Sequence, residues 1–457
     1  MSATTLLKAT NVQSKDALAQ KHSGERWVRT LSVVALAVAT WMLCTLAGGT
    51  WMFVERDRQY PDLGGDIDIP LLYIGLALFA CALLVPTLLT LLTQAARADL
   101  SGREQQLAVL RLIGATAGEV RGMMILEALR RALIGLSIGT VAYLASVPAW
   151  SALSFQGAQI GTWEMFTWWV VPIAWTAIAL LAAGSVWRAL QQVAVTPLGV
   201  TKRVPHPGQK VITTVCAVAA AIALYIWLDR HPIAPEADFA DVLVALVVFI
   251  GFLVVNTLIA VGVIQIVARL SYRIPGAYNY VATRRVGRGA KNTWRRCSAL
   301  FFVAFTAGVA GAFQGIAESE VAPEEALIVQ DLPKGIAITV LFGAVLLVLF
   351  TLLTQTLAVV EQKQLTKSLH FIGAAPTFHT KVAVREIGVP MVVAALLGFG
   401  QGVLVGLVMV GATPDGIATV LFFGALIALA LVGCLGAVVA TGRLRAKVLA
   451  ETGRAKD

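Results

Sequence analysis

The chain has 457 residues, 58% hydrophobic and only 14% charged, with a formal net charge of +10 and a mean hydropathy of +0.79. Soluble domains carry about 25% charged residues, so a water-soluble globule is excluded. Repeated apolar runs near the ~20 residues needed to cross a bilayer point instead to a polytopic membrane protein.

Residues 1–26 form a polar head with scattered Leu6, Leu7, Val12 and Leu18, which reads either as an amphipathic helix on the inner leaflet or as a frayed tail. The apolar run that follows lacks a short core ending in a small-residue cleavage site, so it reads as a retained helix. Ten spans are predicted, at 27–54, 71–95, 123–149, 166–187, 211–228, 242–270, 298–316, 335–360, 382–410 and 416–442. The segments before, after and between them alternate in charge: those on one side are all net basic, those on the other all net acidic. The positive-inside rule places both termini in the cytoplasm. The basic excess is therefore topology, and no nucleic-acid partner is expected.

Between the second and third spans, residues 94–139 hold most of the local charge. Ser101 with Glu104, and Thr116 with Glu119, are two capping boxes, each able to satisfy the orphan amides of a new helix. Gly114 lies between them where a left-handed C-terminal cap is expected. The pattern predicts a short helix over 102–113, a turn at Gly114 and Ala115, and a second helix from about Ala117 into the membrane. Glu127 and Arg131 are four apart and share a helix face, so they can pair. They either snorkel at the inner interface or place Glu127 toward the protein interior, where ionisable groups at membrane depth usually lie.

Trp150, Trp163, Trp168 and Trp169 read as an aromatic belt at the outer surface. Residues 188–210, with Pro197, Pro205 and Pro207, are the candidate linker, and the loop 273–297 is rich in arginine without an acidic residue, a surface for anionic lipid or a partner. The five cysteines and five histidines are scattered without ligand spacing. No G-x-x-x-x-G-K-[ST] phosphate loop occurs.

The sequence also repeats. Thr90-Leu91-Leu92-Thr93-Gln94 recurs as Thr351-Leu352-Leu353-Thr354-Gln355, and Leu110, Ile113, Gly114, Ala115, Glu127 and Gly139 fall on Leu369, Ile372, Gly373, Ala374, Glu386 and Gly398. Trp27 and Arg29 recur as Trp294 and Arg296. Spans one to four and seven to ten thus read as two parallel copies of a four-helix unit. The second copy has drifted: Arg111 becomes His370, Thr116 becomes Ala375 and Glu119 becomes Phe378, with Pro376 able to start a helix without a capping box. Gly135 with Gly139, and Gly398 with Gly402 and Gly406, have the spacing of close helix packing.

At these residues the chain resembles the FtsX-like permeases, the membrane subunits of MacB-type ATP-binding-cassette transporters. The resemblance rests on REQQLAVLRLIGATAGEVRGMMILEALRRALIGLSIG (103–139), on Arg188 followed by Pro197, and on the weaker copy QKQLTKSLHFIGAAPTFHTKVAVREIGVP (362–390). The ten-span layout is similar to bacitracin-efflux permeases. The expected fold is an all-α polytopic membrane protein of about ten helices. Its parts are a head (1–26), a first repeat (27–200), a two-helix linker (201–272), a second repeat (273–445) and a tail (446–457).

The resemblance implies a non-catalytic permease in the bacterial cell membrane, paired with a cytoplasmic ATPase in two copies that binds the ATP and magnesium, the chain itself holding no cofactor. ATPase coupling would fall to Ser101, Arg103, Glu104, Leu107, Leu110, Arg111, Gly114, Ala115 and Glu119. Gln364, Leu369, His370, Gly373, Ala374 and Pro376 would couple in the second copy, and Glu127 and Glu386 would transmit the motion. Relatives carry a large outer domain, whereas the corresponding connections here are short, which favours direct action on an amphipathic substrate in the membrane. The alternative is a signalling module acting on a sensor kinase or a wall enzyme.

Overall fold

The structure, a computed structural model, describes residues 23–59, 69–98, 116–194, 212–219, 223, 239–313, 323–373, 375, 377–410 and 414–453. In chain order these form α1 (Ser23–Gln59), α2 (Ile69–Arg97), α3 (Ala117–Ser146), a 3-10 turn (Val147–Ala152), the strands β1 (Ser154–Phe155) and β2 (Ala158–Gln159), and α4 (Val170–Ala194). Then come α5 (Phe239–Ser271), α6 (Ala277–Arg288), α7 (Ala290–Phe313), α8 (Pro323–Glu361), α9 (Lys363–Phe371), α10 (Phe378–Val410) and α11 (Pro414–Gly453). Among the described residues, eight helices are long and apolar enough to cross a membrane: α1 to α5, α8, α10 and α11. The protein is an all-α polytopic membrane protein, with α7 a further long helix packed through its second half. Of the expected fifth span, only the helical piece 212–219 and residue 223 are described.

Packing runs alike in the two halves. In both halves the first helix packs on the third, α1 on α3 and α7 on α10, although α1 lies about as closely on α2. Glycines explain how these pairs approach. A Cβ on Gly139 would collide with the Ala37 carbonyl and the Thr40 side chain, and one on Gly398 or Gly402 would strike the Phe301 or Phe305 carbonyl. Small residues here let backbones meet, the usual device where lipid supplies no hydrophobic drive for association. Met42, Leu88, Leu91, Leu136 and Ile178 fill the first-half core with Phe342 and Leu346 of α8. Trp294, Leu300, Phe301, Met391 and Phe423 fill the second with Val340 and Leu347 of the same helix. α8 is therefore the shared wall between the halves.

The structure departs from the sequence expectations at the connections. α8 begins at Pro323, so much of the expected acidic outer connection is helix. The basic stretch 273–297 is not a loop: it holds the amphipathic α6 and then the start of α7. Its positive charges occupy one face, while Asn279, Ala282, Thr283 and Val286 are buried on the other. Between α3 and α4, Pro148 falls where α3 gives way to the 3-10 turn, as expected of a residue without an amide donor. The antiparallel β1–β2 hairpin follows, with Ser154 opposite Gln159. Its turn uses positive φ at both Gln156 (57°) and Gly157 (74°), the backbone that matches the twist of a two-residue hairpin.

Candidate functional site

Two polar constellations stand at opposite ends of the bundle. At the end where α1 begins, each half holds a glutamate on its third helix. In the first half Glu127 pairs with Arg131 one turn further along α3, Arg131 being buried, and Arg29 of α1 lies within Coulombic reach of Arg131. In the second, Glu386 of α10 accepts from Arg285 of α6 at 3.3 Å and faces Arg296 of α7 at 3.8 Å. Arg445 of α11 also acts on Glu386, and Arg445 and Arg285 both act on the buried His379. His379 Nε2 and one Arg445 nitrogen are buried without a hydrogen-bond partner.

The two sites match in outline. Arg29 and Arg296 hold corresponding positions, as do Glu127 and Glu386; in the second half that pair joins the first and third helices at 3.8 Å, whereas in the first Glu127 pairs along its own helix and Arg29 faces Arg131 as a like charge. They differ in wiring. Pro390 stands where Arg131 stands in the first copy, and the second site draws its extra cations from α6 and α11 instead. Both sites carry more positive than negative groups. Glu386 is held by arginines of its own half.

The other end carries a clamp that sequence reasoning did not locate. Arg56, near the end of α1, forks onto the Glu164 carboxylate and donates to the Phe155 carbonyl at 2.8 Å and the Gln159 carbonyl at 3.3 Å. Glu164 also accepts from the Gly161 amide at 2.7 Å. Arg56 holds the Glu164 carboxyl below its ordinary range, the Gly161 amide adding to this and burial opposing it. From the second half, Asp331 of α8 reaches the same hairpin. Its Oδ2 accepts from the Tyr73 hydroxyl of α2 and from the Gln156 amide, both at 2.7 Å, and Oδ1 takes Lys334 at 2.7 Å. Lys334 then donates to the Ser154 carbonyl at 3.2 Å. The hairpin is thus gripped by α1, α2 and α8 at once. Asp331 is only 4% exposed, so its three partners are what make an ionised carboxylate tolerable there.

The expected coupling residues are described in part. Thr116 and Glu119 form a reciprocal capping box: the Thr116 amide donates to Glu119 Oε2 at 2.8 Å, and the Glu119 amide to Thr116 Oγ1 at 3.3 Å. Ser101, Arg103, Glu104, Leu107, Leu110, Arg111, Gly114 and Ala115 lie outside the described residues, as do Ala374 and Pro376. In the second copy, the short α9 carries Gln364, Leu369 and His370 and ends in a turn with Gly373 at φ 90°. Phe371 and Ile372, just before it, are each 81% exposed. Their apolar side chains stand uncovered beside a tight turn.

Among the polar residues within the helices, Asn256 is buried and donates to the Phe252 carbonyl of its own helix at 3.0 Å. Gln401 Oε1 is buried without a partner, and Gln314 lies outside the described residues. Trp150 and Trp169 of the expected belt pack inward against Phe342 and Trp51, while Trp163 and Trp168 stay exposed. Among the described residues, no group of three or more histidine, cysteine, aspartate or glutamate side chains could hold a metal ion.

Residues 76–197 match the family model described as FtsX-like permease C-terminal. The matched stretch includes α3, most of α2 and the whole of 94–139, in agreement with the assignment that the repeated motif suggested. No curated protein and no solved structure matches the chain.

Proposed function

We propose that this protein is the permease subunit of an ATP-binding-cassette transporter, driven by a separate cytoplasmic ATPase in two copies, that exports or extracts an amphipathic compound from the membrane. An FtsX-like permease domain belongs to a membrane transporter component of this kind rather than to an enzyme. The observation that carries the coupling role is the Gly373 turn. A short helix, a left-handed glycine and two adjacent apolar residues at 81% exposure make a compact knob that another protein can cover. The same pattern of Leu-x-x-Ile-Gly-Ala at Leu110 to Ala115 supplies the second contact. Glu386, tied to Arg296 on the first helix of its half, and Glu127, tied to Arg131 on its own helix, would pass motion from these knobs into the bundle.

Copurification and ATPase turnover test the reading, using a cytoplasmic ABC ATPase from the same organism that is coexpressed with this chain. Phe371→Glu with Ile372→Glu, or Leu110→Glu with Gly114→Glu, is expected to abolish stimulation of that ATPase while the permease still inserts and folds. Stimulation that survives both double substitutions overturns the coupling role. Short outer connections support a substrate taken directly from the bilayer, and ATP-dependent release of an amphipathic probe from vesicles holding only permease and ATPase is the expected result.

A further inference from the structure

A shallow groove lies between α5, α6 and α10, and its lining changes character along its length. At the end of the bundle where α1 begins it is polar, with Ser271, Thr283 and Arg385; deeper in the membrane Val267, Val389 and Val393 line it. Arg385 is exposed and has no acidic partner among the described residues. Its neighbour Glu386 is already engaged by Arg285 and Arg296, and the whole stretch 273–297 contributes no carboxylate. Nor is Asn279 available, since its amide donates to the Ser271 and Ile274 carbonyls at 2.7 and 3.0 Å. The mouth thus offers a positive charge with no counter-ion, above walls that offer only apolar surface.

We propose that this groove binds one anionic phospholipid, its phosphate on Arg385 and an acyl chain along Val267, Val389 and Val393. The ligand chemistry follows from the two ends: an inorganic anion would satisfy Arg385 and leave the apolar walls bare, and a neutral lipid would fill the walls and leave the charge uncompensated. The surroundings fit a headgroup layer. Tyr272, Ile274 and Tyr280 are exposed on the adjacent surface, with tyrosines where amphipathic rings favour the interface. Arg284 and Arg288 of α6 add to the positive field that attracts anionic lipid. The site also abuts the second-half glutamate, because Arg385 and Glu386 are consecutive and Arg285 lies on α6. A lipid there would brace α6 against α10 next to the Glu386 pair.

The test is lipid retention by the full-length permease, measured by native mass spectrometry after incubation with dioleoyl phosphatidylglycerol, dioleoyl phosphatidylcholine or inorganic phosphate. Wild type is expected to retain one phosphatidylglycerol per chain in preference to phosphatidylcholine. Arg385→Gln should weaken that retention about fivefold, the scale of one basic residue near an anionic surface, and Arg385→Lys should largely restore it. Val393→Trp, which fills the deep end without altering charge, should weaken it comparably. Arg288→Gln, on α6 but outside the groove lining, should have less effect. Equal retention of phosphatidylcholine, equal losses in Arg385→Gln and Arg288→Gln, or occupancy by inorganic phosphate that Val393→Trp leaves unchanged would each overturn the proposal.

Discussion

Asp331 concentrates more structural consequence than any other single charge in the hairpin clamp. Its carboxylate is buried and answers a hydroxyl, a backbone amide and an ammonium from separate parts of the chain. Removing it leaves the Gln156 amide and the Tyr73 hydroxyl without their acceptor and Lys334 without its counter-ion, a loss of about 3 kcal/mol on the usual scale for breaking a buried ion pair. Asp331→Ala is therefore expected to lower the melting temperature in detergent clearly more than Tyr73→Phe, which removes one hydrogen bond worth about 1 kcal/mol. Equal shifts for the two variants would show that the carboxylate is not the hub.

Glu164 makes a different, pH-dependent prediction. Its carboxyl sits below the ordinary range in the folded protein because Arg56 donates to it. A depressed native value means that the stabilisation is complete above the unfolded range of about 4.3 and is lost as pH falls through the native value. Melting temperature should consequently drop between about pH 5 and pH 3, and Glu164→Gln should flatten that part of the profile. A variant whose acid slope equals that of wild type would rule out this pair as its source. Neither residue could be singled out from sequence. Asp331 and Glu164 counted only as negative charges on the outer side, and nothing in the order of residues ties Arg56 to a carboxylate so far along the chain. Glu386 was more legible, because the repeat of Arg29 and Glu127 as Arg296 and Glu386 marks two positions that the second half brings to 3.8 Å. Arg285 was not, since its helix was hidden in a run that reads as loop.

At the scale of elements, periodicity and length placed the long helices well, and the glycine spacing marked where they meet. The structure separates glycines that look alike in sequence. A methyl group on Gly398 would clash with the Phe301 backbone, whereas one on Gly400, two residues along the same helix, meets nothing within 4 Å. Gly398→Ala should destabilise by about 2 kcal/mol, as overpacking of a tight contact does, while Gly400→Ala should gain about 0.5 kcal/mol from reduced backbone freedom. Opposite signs in a denaturant titration are the expected outcome, and matching signs would deny the close crossing of α7 and α10. Short elements were less legible. The hairpin after α3 has only two residues per strand, too few for alternation to register. α6 escaped because its apolar face is interrupted by Asn279 and Thr283, which are buried through hydrogen bonding and packing rather than through hydrophobicity.

For the molecule as a whole, the two ends are built on different principles. At the end where α1 begins the glutamates are each bound into their own half, so the halves can move there without breaking the Glu386 pair. At the opposite end, Asp331 and Lys334 of the second half grip a hairpin that Arg56 fixes to the first. If ATP-driven motion of the coupling turns is to reach the outer surface, this clamp is the bond that must yield or act as the pivot. Cysteines at Ser154 and Lys334, joined by a short cleavable bis-maleimide in a Cys216→Ser background, decide between these. A clamp that must yield predicts that the linked protein still binds its ATPase but loses substrate-dependent turnover, and that cleaving the linker restores it. Full turnover with the linker intact would make the outer end the fixed point, and the moving surface would then be the side of the bundle where α5 and α6 pack on α10.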